Sequence, residues 1–197
     1  MPRVKQRTDA LRERGLASAM AVLAEEGVVG LTTRTVARRA NASLPAIYEV
    51  FGDKAGIVRS VFFEGFRMLA DDLSALPPHP DPLEALRGLA EAFRRFIVTN
   101  PVLAQVMFSQ PFADFDPGAE DTRAGVKVRK IFVHHVRVAV DQGLLAGDAT
   151  DIALIFFTVV EGLAAAENAQ WLGGSKQSVD RRWRLGLNAV IDGLRAT

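Results

Sequence analysis

The sequence predicts an all-α protein with a small N-terminal helical head and a larger helical body, about nine helices in all. Three observations carry this. Apolar residues recur at helical spacing along nearly the whole chain, as at Leu16, Ala19, Met20 and Leu23. Nowhere is the strict apolar–polar alternation of a half-buried strand sustained. Breakers rich in Gly or Pro, such as stretch 77–82, cut the chain into helix-sized pieces.

Taken in order, the first helix is expected over 8–26, capped by Thr8 or Asp9 and ended by Gly27 and Gly30. Residues 33–39 form a two-turn helix with Thr32 as N-cap. Asn41 and Ala42 make a tight turn, and 43–51 form a second short helix with Ser43 as N-cap and Pro45 in its first turn. Gly52 ends it. Asp53 caps a helix running to about Ser74, with Val58, Phe62, Leu69 and Leu73 on one face. Beyond the Pro-rich loop come helices over 83–99 and 101–109, a loop over 111–118, and helices over 122–142, 150–172 and 178–196.

Composition narrows the function. Hydrophobic residues make up 49% and charged residues 24% of 197, enough for a substantial core. There is no cysteine, which excludes disulfides and thiolate metal sites. Residues 1–14 are polar and basic, without the apolar stretch of a secretory signal. The most apolar run, 152–160, is bounded by Asp151 and Glu161 and is far short of the ~20 residues that span a bilayer. A soluble, cytoplasmic protein is expected. Residues 1–60 hold ten Lys and Arg against six carboxylates, while the remainder holds fourteen against seventeen. A basic head on a mildly acidic body points to a polyanionic partner for the head. No Gly-rich phosphate loop, metal-ligand spacing or nucleophile motif is present, so no catalytic residue, metal or cofactor is expected. The adjacent His134 and His135 point about 100° apart on a helix and make a poor metal pair. Glu161 and Glu167, six apart, would not converge as an acid–base pair.

The stretch 31–54, LTTRTVARRANASLPAIYEVFGDK, has the pattern of a helix-turn-helix. Two short helices that cross steeply need a small residue near their contact, and Ala37 supplies it. The turn needs a residue that tolerates a left-handed backbone, and Asn41 fits. Val36 anchors the first helix inward; Ile47 and Phe51 anchor the second. These residues resemble the tetracycline-repressor (TetR) family of bacterial transcription regulators, through Leu31, Thr32, Thr33, Arg34, Ala37, Ser43, Ile47, Tyr48, Phe51 and Lys54. The resemblance covers about residues 8–63.

That resemblance implies a helix-turn-helix DNA-binding domain over 1–54 and an effector-binding and dimerisation domain over 55–197. It implies a regulator, expected to be a repressor, that binds palindromic double-stranded operator DNA as a homodimer and is released by a small, largely hydrophobic effector. Thr33 and Arg34 would reach phosphate or a base edge, Ser43, Leu44, Pro45 and Ala46 would approach the major groove, and Tyr48 and Lys54 would contact the backbone. Arg3, Lys5 and Arg7 would form a disordered basic arm over 1–7. Leu44 and Ala46 stand where many members carry polar side chains, and Glu49 is acidic. For the pocket, the implied candidates are Phe66, Phe96, Met107, Phe108, His135, Glu167 and Asn168. Small residues at Thr158, Gly162, Ala165 and Ala169 would let another helix approach closely. With a final-helix stripe of Trp183, Gly186, Leu187, Val190 and Leu194, they would form a symmetric four-helix interface, although periodicity alone also fits both stripes as core of one chain. The competing readings are a DNA-binding dimer without an effector and, more remotely, a small helical enzyme.

Overall fold

The computed structural model describes residues 2–109 and 123–196, which hold nine α-helices and no strand. They are α1 (Pro2–Gly30), α2 (Thr33–Arg39), α3 (Leu44–Phe51), α4 (Lys54–Ser74), α5 (Pro82–Thr99), α6 (Pro101–Phe108), α7 (Val126–Asp141), α8 (Ala149–Asn168) and α9 (Lys176–Gly193). The loop expected over 111–118 lies outside the described residues. Contacts divide the chain into two compact units. One takes the described parts of Met1–Arg67 and Asn100–Ala124; the other takes Met68–Thr99 and Gly125–Thr197.

In the first unit α1, α2 and α3 pack on one another and α6 packs on α1. Helix α1 starts at Pro2 and not at Thr8, so the backbone of 2–7 is helical where a disordered arm was expected. The reason is local: Pro suits the first helical position, and Val4 to Arg7 contain no breaker. Near its end α1 kinks at Gly27, where φ is +70°. Leu23, Leu31, Val36, Ile47 and Ile57 are fully buried and form the centre of this unit. Phe66 stacks edge-on against Phe62 (centroids 5.0 Å) and Phe108 (5.4 Å). A side chain at Gly65 would meet the Met107 sulfur at 2.6 Å, so this glycine lets α4 and α6 close on each other.

In the second unit α8 packs on α5, α7 and α9. Asp81 caps α5 by accepting from the amides of Leu83 (2.8 Å) and Glu84 (3.4 Å). Asp148 caps α8 in the same way, and Ser175 with Ser178 forms a capping box on α9. Phe93, Phe132 and Phe157 meet edge-on with centroids 5.2–6.2 Å apart. The carbonyl of Leu194 accepts from Ala146 (2.9 Å), tying the end of the chain to the α7–α8 turn.

Two expectations about α8 change. It ends at Asn168, not Leu172, because Gln170 takes a left-handed φ of +61°. Trp171, expected to share a face with Phe156 and Val160, therefore lies outside the helix and is exposed. Taken whole, α8 is also long and apolar enough by length and composition to cross a membrane, with a mean hydropathy of 1.7. Asp151 and Glu161 interrupt the apolar run without ending it. Only a third of that apolar window is buried in the subunit.

Candidate nucleic-acid interface

The turn between α2 and α3 is built as its residues require. The Thr32 hydroxyl caps α2 by accepting from the Thr35 amide (3.0 Å). Ala42 donates back to the Ala37 carbonyl (3.0 Å), and Asn41 between them holds a left-handed φ of +49°. Ser43 then opens α3 and accepts from the Ala46 amide (3.3 Å), with Pro45 in the first turn. Ile47, Val50 and Phe51 are buried and set the inner face of α3.

Helical geometry fixes the outer face. Pro45 and Glu49 are four residues apart and lie roughly opposite Ile47, on the crest of the helix. Both are exposed, and Tyr48 on the flank is 47% exposed. Leu44 and Ala46 are half-buried at the start. On α2, Arg34 and Arg38 are exposed and Thr33 is half-buried. Arg39, by contrast, is engaged by Glu25 of α1 (Nη1 to Oε2, 2.6 Å). That pairing holds the exposed Glu25 carboxyl below the ordinary carboxylate range. Half-buried Lys54 is the first residue of α4.

Two supports of this site were not anticipated. Arg12 of α1 donates to the Val50 carbonyl (2.8 Å) and lies 5.7 Å from the Phe51 ring centroid, fastening the end of α3. Gly56 sits so close to the end of α3 that an added Cβ would lie 1.7 Å from the Phe51 carbonyl oxygen. A glycine two residues after Lys54 is the only sequence trace of that contact.

A family model described as bacterial regulatory proteins of the tetR family matches residues 16–61. A second, described as the tetracyclin repressor-like C-terminal domain, matches residues 86–190, more than half of the chain. The chain belongs to the TetR family. It is therefore a transcription regulator with a helix-turn-helix DNA-binding domain. Among solved structures, it is similar to a protein of unknown function from Rhodococcus sp. RHA1, with 27% identity over 95% of this chain and 96% of that one (TM-score 0.81). It shares its fold with a TetR-family transcriptional regulator from Haemophilus influenzae RD (19% identity, 93% and 98% covered, TM-score 0.66). The fold is also that of a TetR variant from Acinetobacter baumannii AYE in complex with minocycline (20% identity, 91% and 93% covered, TM-score 0.61). No curated protein matches the sequence.

The TetR-type pocket residues implied by the sequence are divided between the two units. Phe66, Met107 and Phe108 belong to the first unit, and Phe96, His135, Glu167 and Asn168 to the second. Phe66, Phe96 and Met107 are buried and Phe108 half-buried. Glu167 is already occupied: it accepts from Arg94 at 2.6 and 3.1 Å and lines an open, charged groove of about 580 Å³ with Glu91, Arg95, Lys176 and Asp180. His135 lines a different groove of about 340 Å³, beside Lys130 and His134, and one ring nitrogen lies 2.9 Å from the Ile131 carbonyl. Asn168 donates to the Ile97 carbonyl (3.3 Å). Glu167 and His135 therefore do not form one polar set.

The second unit also corrects the expected association surface. Trp183 and Leu187 are buried within their own unit, so these two residues of the α9 stripe serve the core. A side chain at Gly186 would meet Leu163 at 2.9 Å, which places the close helix approach between α8 and α9 of one chain. Val190 and Leu194 are half-buried. Within α8 and α9 the exposed large apolar residues are Leu154, Ile155 (57% exposed) and Leu185 (68%). Thr158, Gly162, Ala165 and Ala169 are exposed.

Proposed function

We propose that the protein is a repressor that binds a palindromic operator as a homodimer and is released by a small, largely hydrophobic effector. The observation that carries this reading is the exposed crest of α3, which starts at a capped N-terminus and stands on a buried inner face. Such a helix can enter a major groove with its N-terminal half toward the bases. In this reading residues 1–54 are the DNA-binding domain and 55–197 the effector-binding and dimerisation domain. Thr33, Arg34, Tyr48 and Lys54 contact the DNA backbone. Ser43, Leu44, Pro45 and Ala46 face the bases. The Tyr48 hydroxyl and the N-terminal amides of α4 suit phosphate oxygens.

The dimer half of the reading rests on α8. Leu154, Ile155, Thr158, Gly162 and Ala165 recur at helical spacing on its exposed side, with Leu185 of α9 also outward. A contiguous apolar face of this kind is the mark of an association surface, and a symmetric pairing of α8 and α9 covers it. The effector half is supported by the family and by the minocycline complex of the Acinetobacter relative. Helix α4 contributes residues to both units, so a ligand that favours one setting of that helix shifts the population competent for DNA.

The test is selection of bound sequences from a random double-stranded DNA pool at low salt, repeated with Tyr48→Phe and Lys54→Ala. A palindromic winner, bound less tightly by both variants, is the expected result; no enrichment contradicts the reading. The effector is sought by thermal shift against a panel of apolar small molecules. A raised Tm with release of the selected DNA supports it, and indifference to the whole panel favours an effector-independent dimer.

A further inference from the structure

The base-facing surface of α3 has an unusual chemistry for a DNA reader. Between Leu44 and Phe51 there is no Arg, Lys, Asn or Gln. Bidentate recognition of guanine O6 and N7 needs Arg or Lys, and bidentate recognition of adenine needs Asn or Gln. Helix α3 offers neither. The crest instead carries Pro45 and, one turn further, Glu49, both exposed, with Leu44 and Ala46 beside Pro45. An ionised carboxylate brought into a groove walled by phosphates is repelled unless it finds a donor. In the major groove the cytosine N4 amino group is such a donor and offers no competing acceptor on that base. The matching surface for Pro45 and Ala46 is a thymine C5-methyl group.

We propose that α3 reads its operator half-site by a cytosine amino group donating to Glu49 and by thymine methyls packed on Pro45 and Ala46, with no guanine read directly by this helix. The inference rests on the operator-binding reading above. It assigns Glu49 as a specificity-determining residue that the family resemblance did not supply. Guanine enters the half-site only as the partner of that cytosine, or opposite the arginines of α2. Arg34 and Arg38 are exposed on α2, whereas Arg39, nearer to α3 and also exposed, is held by Glu25.

The experiment uses the full-length protein and the palindrome recovered by selection, with base preference measured at every half-site position for wild type and Glu49→Gln. Wild type is expected to prefer cytosine at one position by roughly tenfold or more. Glu49→Gln is expected to move that preference to adenine at the same position, since Gln both donates to N7 and accepts from N6. In parallel, deoxyuridine replaces thymine at each conserved thymine, removing only the methyl group; a several-fold loss is expected at one or two positions. If Glu49→Gln strengthens binding to all sequences equally, Glu49 only repels phosphate and the inference is overturned. It is equally overturned if preferences are unchanged or deoxyuridine is tolerated throughout. In those cases a palindrome is still enriched, so the operator-binding reading survives. Failure to enrich any sequence removes both.

Discussion

The helix-turn-helix of the first unit and the α8–α9 pair of the second are both built from short-range helical patterns, yet they present opposite surfaces. Helix α3 buries Ile47, Val50 and Phe51 and shows a crest of Pro45 and Glu49 with Tyr48 on its flank. Helix α8 buries Ile152, Phe156 and Val160 on one side and leaves Leu154 and Ile155 bare on the other. The first surface is finished in a single chain and waits for a polyanion. The second is apolar on both sides, and in the proposed dimer a second copy covers the outer one. Position on a helix thus says where a residue points; residue type on the outward side says what covers it.

The comparison can be broken most strongly at α8. Ile155→Glu combined with Leu185→Glu changes two exposed positions, so the monomer should fold with an unchanged circular dichroism spectrum. Association would bury unpaired carboxylates, so sedimentation should show a monomer. Operator affinity should drop at least a hundredfold, on the order expected when two linked contacts become one. A stable dimer in this variant places the interface elsewhere.

A smaller effect separates tight from open glycine sites. Gly56→Ala forces a methyl group against the Phe51 carbonyl, a backbone atom that cannot swing away. Urea unfolding should show a loss of about 3 kcal/mol. Gly88→Ala, in the middle of α5, meets nothing within 4 Å and should instead stabilise the fold by about 0.5–1 kcal/mol through helix propensity. Equal effects at the two sites would show that the end of α3 is not seated on α4 as described.

The mildest test concerns the charged cluster of the second unit. Arg94 donates to Glu167 (2.6 Å) and Asp180 (2.7 Å), and its guanidinium carbon lies 4.9 Å from the Trp183 ring centroid. Burial opposes its charge, but the bonds to Glu167 and Asp180 outweigh burial and raise its pKa. Arg94→Met should cost about 2 kcal/mol at pH 7, a buried-pair value reduced for partial exposure. The Asp180 carboxyl is held at about 2, below its ordinary 3.8, first by Lys176 and then by Arg94. A depressed carboxylate stabilises the fold above pH 3.8, and that contribution is lost as pH falls toward 2. The gap between wild type and Arg94→Met should therefore narrow between pH 4 and pH 2. A constant gap would mean that Arg94 acts by packing on Trp183 alone.

The head was legible because several local rules agreed there. Thr32, Asn41, Ser43 and Pro45 each have a single suitable place in a helix-turn-helix, and all four occupy it. The supports from Arg12 and Gly56 were not legible: Arg12 reaches Val50 across 38 residues, and Gly56, though only five residues from Phe51, does not announce its partner by residue type. In the body, periodicity found the stripes but could not say which of two apolar stripes faces inward. Trp183 and Leu187 were expected outside and lie inside, with Leu185 in the exposed position. Glu167 looked like a free polar group because Arg94 is 73 residues away in sequence. The break at Gln170 was missed because nothing but its left-handed φ ends α8 there.

The central claim is that two copies hold their α3 helices one DNA turn apart, roughly 34–36 Å, to read a two-fold operator. Its most direct test is equilibrium binding at fixed salt to the selected palindrome and to the same palindrome with five base pairs inserted between its half-sites. The insertion turns one half-site about half a helical turn to the far side of the duplex. The account predicts a loss of at least a hundredfold, with binding reduced to that of a single half-site; equal affinity for the two DNAs would contradict it.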